Sequence, residues 1–246
     1  MPAQAATGPG LIRVYTARIP GPPPLAAVGY GPGNGVPRKV RVVALHGYSS
    51  SKHSLDPLSA ELARAGFAVL APDLPGHKLG ASGGVLFQFE TAVEAALAAA
   101  HAFAGDGPVV FVGHSMGAAA AVVAAAALPA AGAVSLGLGY PVTRERDNPA
   151  VYAHYLERWA WVDGASPLEA GLAMDAALPG ALQALAGRPW LLVHGSRDLE
   201  LPPASADALF ALAGEPKTRV MVDADHAGVA TAARTAVRDW LLDRFA

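Results

Sequence analysis

No cysteine occurs among the 246 residues, which removes disulfides, a thiol nucleophile and every thiolate metal or iron–sulfur site together. Charge is scarce as well. Asp, Glu, Lys and Arg make up 15% of the chain against a usual ~25%, and the net charge is −2. No global positive field therefore draws the chain to nucleic acid or to an anionic membrane surface. The opening Met1-Pro2-Ala3-Gln4-Ala5 has no basic segment leading into an apolar core, so it does not read as a secretion signal and a cytoplasmic location is expected. The H-E-x-x-H pattern is missing and the ligand choice without cysteine is narrow, so no metal and no cofactor are expected.

Disorder is excluded on composition. Hydrophobic residues make up 52%, and the 27 glycines and 21 prolines together stay below the ~25–30% of a disordered chain. A chain of this length can bury a sizeable core and suits one large α/β domain, 1–246. Between Asp106 and Arg144 no residue is Asp, Glu, Lys or Arg. A membrane span needs ~20 mostly apolar residues, and a crude scan would stop here. Gly113-His114-Ser115 and Pro129 interrupt the run, however, and alanine is only weakly apolar. The stretch reads as a buried strand, helix and strand in succession, with no membrane span.

What is present is an alternation. Leu11–Tyr15 and Leu25–Tyr30 flank the proline-rich turn at 19–24 as an antiparallel pair. The Gly31-Pro32-Gly33-Asn34-Gly35 loop precedes a strand and lacks the G-x-G-x-x-G spacing of a dinucleotide site. Strands follow at Val40–Leu45, Phe67–Ala71, Val109–Val112, Ala133–Leu138, Trp190–Val193 and Thr218–Val222. Helices are predicted at Leu55–Ala65, Phe89–Phe103, Met116–Leu128, Ala204–Ala213 and Val229–Phe245. Apolar strands alternating with helices predict an α/β fold with a mostly parallel sheet covered on both faces. Ligands then bind at the carboxyl ends of the strands. Tyr140–Arg188 breaks the rhythm. There Asn148-Pro149 and the capping-box spacing of Ser166 and Glu169 predict two or three short helices, joined at Gly164 and Pro179-Gly180.

Chemistry gathers at the strand ends. Gly113-His114-Ser115-Met116-Gly117 is a G-x-S-x-G turn placed directly between an apolar strand and a helix. Bare matches to that pattern are common, but this context lifts a serine hydroxyl into the open on a strained turn. The hydroxyl needs a base held by a third group. His226 follows the last strand and precedes the last helix. Asp198 lies a few residues beyond strand Trp190–Val193, placed to orient an imidazole. Asp147, Asp163 and Asp175 are rival acids, but none directly follows a strand, and Asp225 is too close to His226 in the chain to hold its ring.

The order Ser115, Asp198, His226, together with the loops Leu45-His46-Gly47-Tyr48 and Pro72-Asp73-Leu74-Pro75-Gly76-His77, resembles the α/β-hydrolase-fold serine hydrolases from about Val40 to the C-terminus. The resemblance implies a helical cap at 140–188, inserted before the acid-bearing strand. It implies an oxyanion hole from the backbone N–H groups of Tyr48 and Met116. It gives His46 and His114 loop-supporting roles, and makes the Tyr48 phenol a pocket wall. Asp73 would brace its own turn, and His77 and Lys78 depart from the commoner Gly-x-Gly at that loop. A serine nucleophile sets the chain apart from the dehalogenase and epoxide-hydrolase branches, which use aspartate.

Substrate expectations come from the insertion. Tyr152, Tyr155 and Trp159 stand at spacings of three and four, an aromatic stripe that either glues the insertion down or covers Ser115. With His77 they are the candidate pocket residues. No cluster of Arg or Lys marks an anion binder, so a small-to-medium neutral ester is expected, with a carboxylesterase as the leading reading. Thioesterase, peptidase, lactonase and carbon–carbon hydrolase share the fold, as does a silent small-molecule receptor. Oligomeric state is not legible.

Overall fold

Val109, Val110, Phe111 and Val112 form the centre of the molecule because both faces of their strand are covered. Val109 and Phe111 belong to one apolar cluster, while Val110 and Val112 belong to the other, as period-two alternation requires. The computed structural model describes residues 10–34, 36–144 and 147–245.

Strands β1 (Ile12–Ile19) and β2 (Leu25–Pro32) make an antiparallel hairpin. They are followed by β3 (Arg41–Leu45), β4 (Ala68–Pro72), β5 (Val109–His114), β6 (Gly132–Leu136), β7 (Trp190–Gly195) and β8 (Lys217–Val222). The sheet order is β1-β2-β4-β3-β5-β6-β7-β8, and every pairing from β4 onward is parallel. Register places Leu45 beside Gly113, His114 beside Leu136 and Gly195 beside Val222, so the loops after these strands emerge along one edge.

Helices α1 (Asp56–Arg64), α7 (Val229–Ala232) and α8 (Arg234–Phe245) cover one face through Leu58, Leu62, Val229, Val237 and Trp240. Helices α2 (Phe89–Ala104), α3 (Met116–Ala127), α5 (Pro167–Ala184) and α6 (Pro203–Leu212) cover the other. Each fully buried Leu or Phe in these layers contributes about 1.5–3 kcal/mol of transfer free energy. Helix α3 is buried almost all round between the sheet and α5, which is why its sequence carries alanine and no charge. Among the described residues no helix is long and apolar enough to cross a membrane.

Strand β1 runs on to Ile19, four residues past the expected end at Tyr15, and the helices depart from expectation in two places. Pro179 lies inside α5 rather than at a joint. Met174, Leu178 and Leu182 are buried at helical spacing on either side of it, and that continuous face outweighs a cost of about 3 kcal/mol for a proline inside a helix. The closing helix is interrupted at Ala233, where α7 gives way to α8. Of the irregular stretch, α5 packs on α2 and α3 as part of the body, whereas α4 (Pro149–Trp159) has no buried residue and stands over the strand ends.

Candidate active site

Backbone geometry singles out Ser115. It holds φ +54°, one of two non-glycine residues with positive φ among those described. Such a conformation costs of order 1–3 kcal/mol and persists only where the surroundings enforce it. They do so through glycine. A Cβ on Gly113 would lie 2.0 Å from the carbonyl oxygen of Gly117, and one on Gly117 would lie 2.3 Å from that of Leu45. The Ser115 N–H is tied to Leu136 O at 2.9 Å, and its hydroxyl is left half-buried at the head of α3. The first amide groups of a helix lack intrahelical acceptors, so Met116 offers an N–H beside that hydroxyl.

His226 and Asp198 come from neighbouring strand ends. His226 Nδ1–H donates to Asp198 Oδ2 at 2.7 Å, which leaves Nε2 as the basic nitrogen. Asp198 Oδ1 accepts the N–H groups of Glu200 and Leu201 at 3.0 and 2.8 Å, so its own loop holds the carboxylate independently of the ring. Burial pushes the Asp198 carboxyl up, but the bond and charge of His226 and the Leu201 N–H outweigh it and hold the group below its ordinary value. Burial alone would lower His226. The hydrogen bond to Asp198 and the charges of Glu200 and Asp198 prevail and raise it.

Three other histidines near the site serve the backbone. His46 donates from Nδ1 to Gly47 O at 2.8 Å and accepts the Leu74 N–H on Nε2 at 2.9 Å. Both ring nitrogens are occupied, and burial, with the nearby His77, lowers its pKa to about 3. His114 donates from Nε2 to His226 O at 2.8 Å, and burial followed by the His226 charge lowers its pKa to about 3. His194, at the end of β7, is buried and bonds Leu201 O at 2.8 Å.

The loop after β3 is braced from two sides. Buried Asp73 accepts the Lys52 N–H and the Ala81 N–H at 2.8 and 2.7 Å and pairs with the Lys52 ammonium. Tyr48 donates its hydroxyl to Ala165 O at 2.8 Å, and burial raises its pKa. The phenol is thus committed to the turn between α4 and α5, while its ring joins the wall of the site. A cavity of about 190 Å³ opens over these groups, with Ser115, Met116, His226, Gly47 and Tyr48 at its floor. Val142, Met174 and Leu201 make one side apolar.

Of the candidate pocket residues only Tyr155 lines this cavity. Tyr152 and Trp159 are 47% and 42% exposed, and the Trp159 indole donates to Gly164 O at 3.0 Å. The reason lies in helix geometry. At about 100° per residue, Tyr155 sits where two faces of α4 meet. His154, Tyr155 and Arg158 look into the cavity, whereas Tyr152, Leu156 and Trp159 look out. His77 is also outside the lining. It is buried, donates from Nδ1 to Pro75 O at 3.0 Å and meets His46 edge-on at 4.8 Å. Lys78 reaches Asp163 at 3.0 Å.

The residues that sequence reasoning missed are His154, Arg158 and Glu200. Glu200 accepts from Arg158 Nη2 at 3.3 Å, and together they give the cavity a charged wall. A search for basic clusters passes over one arginine and one glutamate 42 positions apart. The signal available was helical: Arg158 follows His154 by one turn, on the side of α4 adjoining Tyr155. Among the described residues no group of three or more His, Asp or Glu side chains could hold a metal ion.

A profile of the Alpha/beta hydrolase family matches residues 42–240. The chain belongs to that family. No curated protein matches it. Among solved structures, the esterase domain of a Rhodothermus marinus protein is 24% identical with a TM-score of 0.68, covering 96% of this chain and 100% of that one. A monoacylglycerol lipase of Paleococcus ferrophilus is 21% identical with a TM-score of 0.67, covering 89% of this chain and 99% of that one. An esterase of Pyrococcus furiosus is 16% identical with a TM-score of 0.71, covering 96% and 92%. At such identities these likenesses speak to the fold, an eight-stranded, mostly parallel sheet with helices on both faces.

Proposed function

We propose that this chain is a serine hydrolase of carboxylic esters, with Ser115 as nucleophile, His226 as base and Asp198 as the group that orients it. The observation that carries the reading is that a strained Ser115 and an Asp198-held His226 open on one cavity. Ser115 Oγ bonds to the ester carbonyl carbon while its proton passes to His226 Nε2. The backbone N–H groups of Tyr48 and Met116 take the developing oxyanion, each such donor being worth roughly 3–4 kcal/mol in the transition state. As the carbon–oxygen bond to the alcohol breaks, His226 returns the proton to the leaving oxygen. Water, deprotonated by the same Nε2, then releases the carboxylic acid and restores Ser115.

A small-to-medium ester suits the cavity of about 190 Å³, its acyl part lying along Val142, Met174 and Leu201. The segment 140–188 acts as a cap chiefly through α4. A fluorophosphonate probe tests the reading directly: wild type labels at Ser115 and Ser115→Ala does not. A panel of p-nitrophenyl esters of rising chain length, with thioester and peptide analogues, tests the bond cleaved. Preference for the thioester moves the assignment to a thioesterase, and an unlabelled wild-type protein removes the hydrolase reading altogether.

A further inference from the structure

Two carboxylates bracket the imidazole of His226, one at each nitrogen. Asp198 holds Nδ1 at 2.7 Å, and Glu200 Oε2 stands 3.9 Å from Nε2, the nitrogen that faces the reaction. At 3.9 Å Glu200 makes no hydrogen bond to the ring and acts through its charge. Its other oxygen is engaged by the cap. Oε1 lies 3.3 Å from Arg158 Nη2 and 3.5 Å from His154 Nε2, both on α4. Arg158 also donates from Nε to His154 Nε2 at 2.9 Å and from Nη1 to Ser49 Oγ at 3.2 Å. Ser49 is the residue after the oxyanion donor Tyr48, and it holds φ +53°. One guanidinium thus joins three pieces: the helix over the site, the loop after β3 and the loop that carries Asp198 and Glu200.

We infer that Glu200 is a positioning residue for the catalytic base, its charge favouring the imidazolium at Nε2, and that Arg158 sets how much of that charge His226 feels. The inference rests on the serine hydrolase reading above and assigns a regulator to that same site. The neighbourhood leaves few other contributors. Asp198 and His194 face the ring from the end of β7, His114 from the end of β5 at 5.0 Å between centroids, and Arg158 and His154 from α4. His114 is held neutral by burial. Of these, Glu200 is the carboxylate nearest the reacting nitrogen and Arg158 its cationic partner.

The two residues push in opposite directions. Glu200 stabilises the imidazolium that forms when Ser115 gives up its proton, which helps the forward step. The same field keeps the ring protonated to higher pH, which withdraws the base from acidic solution. Arg158 opposes both effects by pairing with Glu200. Movement of α4 away from the acid loop would strip Glu200 of its partner and raise the proton affinity of His226, so the seating of the cap reports on the base. A residue that merely shaped the cavity would change affinity for substrate and leave this balance alone.

The rate of fluorophosphonate labelling at Ser115, followed across pH, reads the protonation of His226 without a known substrate. Glu200→Gln should move the acidic midpoint of that profile down by about one unit, the scale of a single charge within ~4–6 Å. Arg158→Met should move it up, and Arg158→Lys, which keeps the charge, should hold it near the wild-type position. Shifts of opposite sign for the first two variants establish the coupling. Midpoints that coincide in all four proteins overturn it, as do two shifts of the same sign. If midpoints coincide while KM for esters rises, Glu200 is a substrate-binding wall instead. Absence of labelling in the wild type is a different failure, that of the hydrolase reading itself.

Discussion

Gly113 and Gly117 face each other across the turn that carries Ser115 so closely that a Cβ on the first would meet the carbonyl oxygen of the second at 2.0 Å. The contact is with backbone, which cannot swing aside as a flexible side chain could. Gly113→Ala should therefore open the turn, lowering stability by about 2 kcal/mol or more. Denaturant unfolding measures the loss, and fluorophosphonate labelling of the folded fraction should fall with it.

Asp198→Asn keeps the shape of the acid loop but replaces an acceptor with an amide that can fix the wrong imidazole tautomer. Ester turnover should drop by about ten-thousand-fold. The melting temperature should move far less, because the loop N–H groups of Glu200 and Leu201 still find an oxygen on the Asn side chain.

The pKa of His226 lies above its ordinary 6.5, since Asp198 and Glu200 together overcome burial. In the proposed mechanism the ring takes the serine proton only when neutral. The acidic limb of kcat/KM against pH should accordingly have its midpoint above 6.5 in the wild type. A midpoint below that value would contradict the balance of burial and charge described for the site.

Asp73→Asn strips the partner from the Lys52 ammonium, which is almost wholly buried. Uncompensated buried charge of this kind costs about 3 kcal/mol. The effect depends on pH with a definite sign. Asp73 is held below its ordinary value, because the bonds from Lys52 and Ala81 outweigh the upward push of burial. Its stabilisation is complete above the unfolded carboxylate value of about 4 and is lost as pH falls through the lower folded value. Urea melts of the two proteins should differ at neutral pH and converge in acid.

Tyr48→Phe separates two roles for one residue. The phenol is bonded to Ala165 O, so its removal should cost about 1 kcal/mol of stability and change ester turnover only a few-fold. A hundred-fold fall in kcat would instead mean that the hydroxyl, not the backbone N–H, stabilises the oxyanion.

The alternation of strands and helices was legible because apolar, β-favouring runs such as Val109–Val112 and turn residues such as Gly66 mark each boundary in local chemistry. That Ser115, Asp198 and His226 come together was legible because each follows a strand end, and parallel register brings those ends to one edge. The run through Pro179 was not, since local chemistry there favours a break and only packing on α3 overrides it. The charged wall was hidden for a related reason. Glu200 and Arg158 meet only when α4 is laid over the acid loop, and neither residue is unusual in its own neighbourhood. The aromatic stripe misled because spacings of three and four define a face without saying which way it turns.

Helix α4 contributes no buried side chain, yet it supplies His154, Tyr155 and Arg158 to the cavity. Ser115, Asp198 and His226 are anchored instead by strand ends whose neighbours lie in the sheet. A graft that replaces Pro149–Trp159 with another amphipathic helix of about three turns should leave the sheet's melting behaviour intact while changing which molecules fit. The part of the lining that α4 supplies is thereby open to redesign at little risk to the fold, whereas Met174, shared by cavity and core, is not.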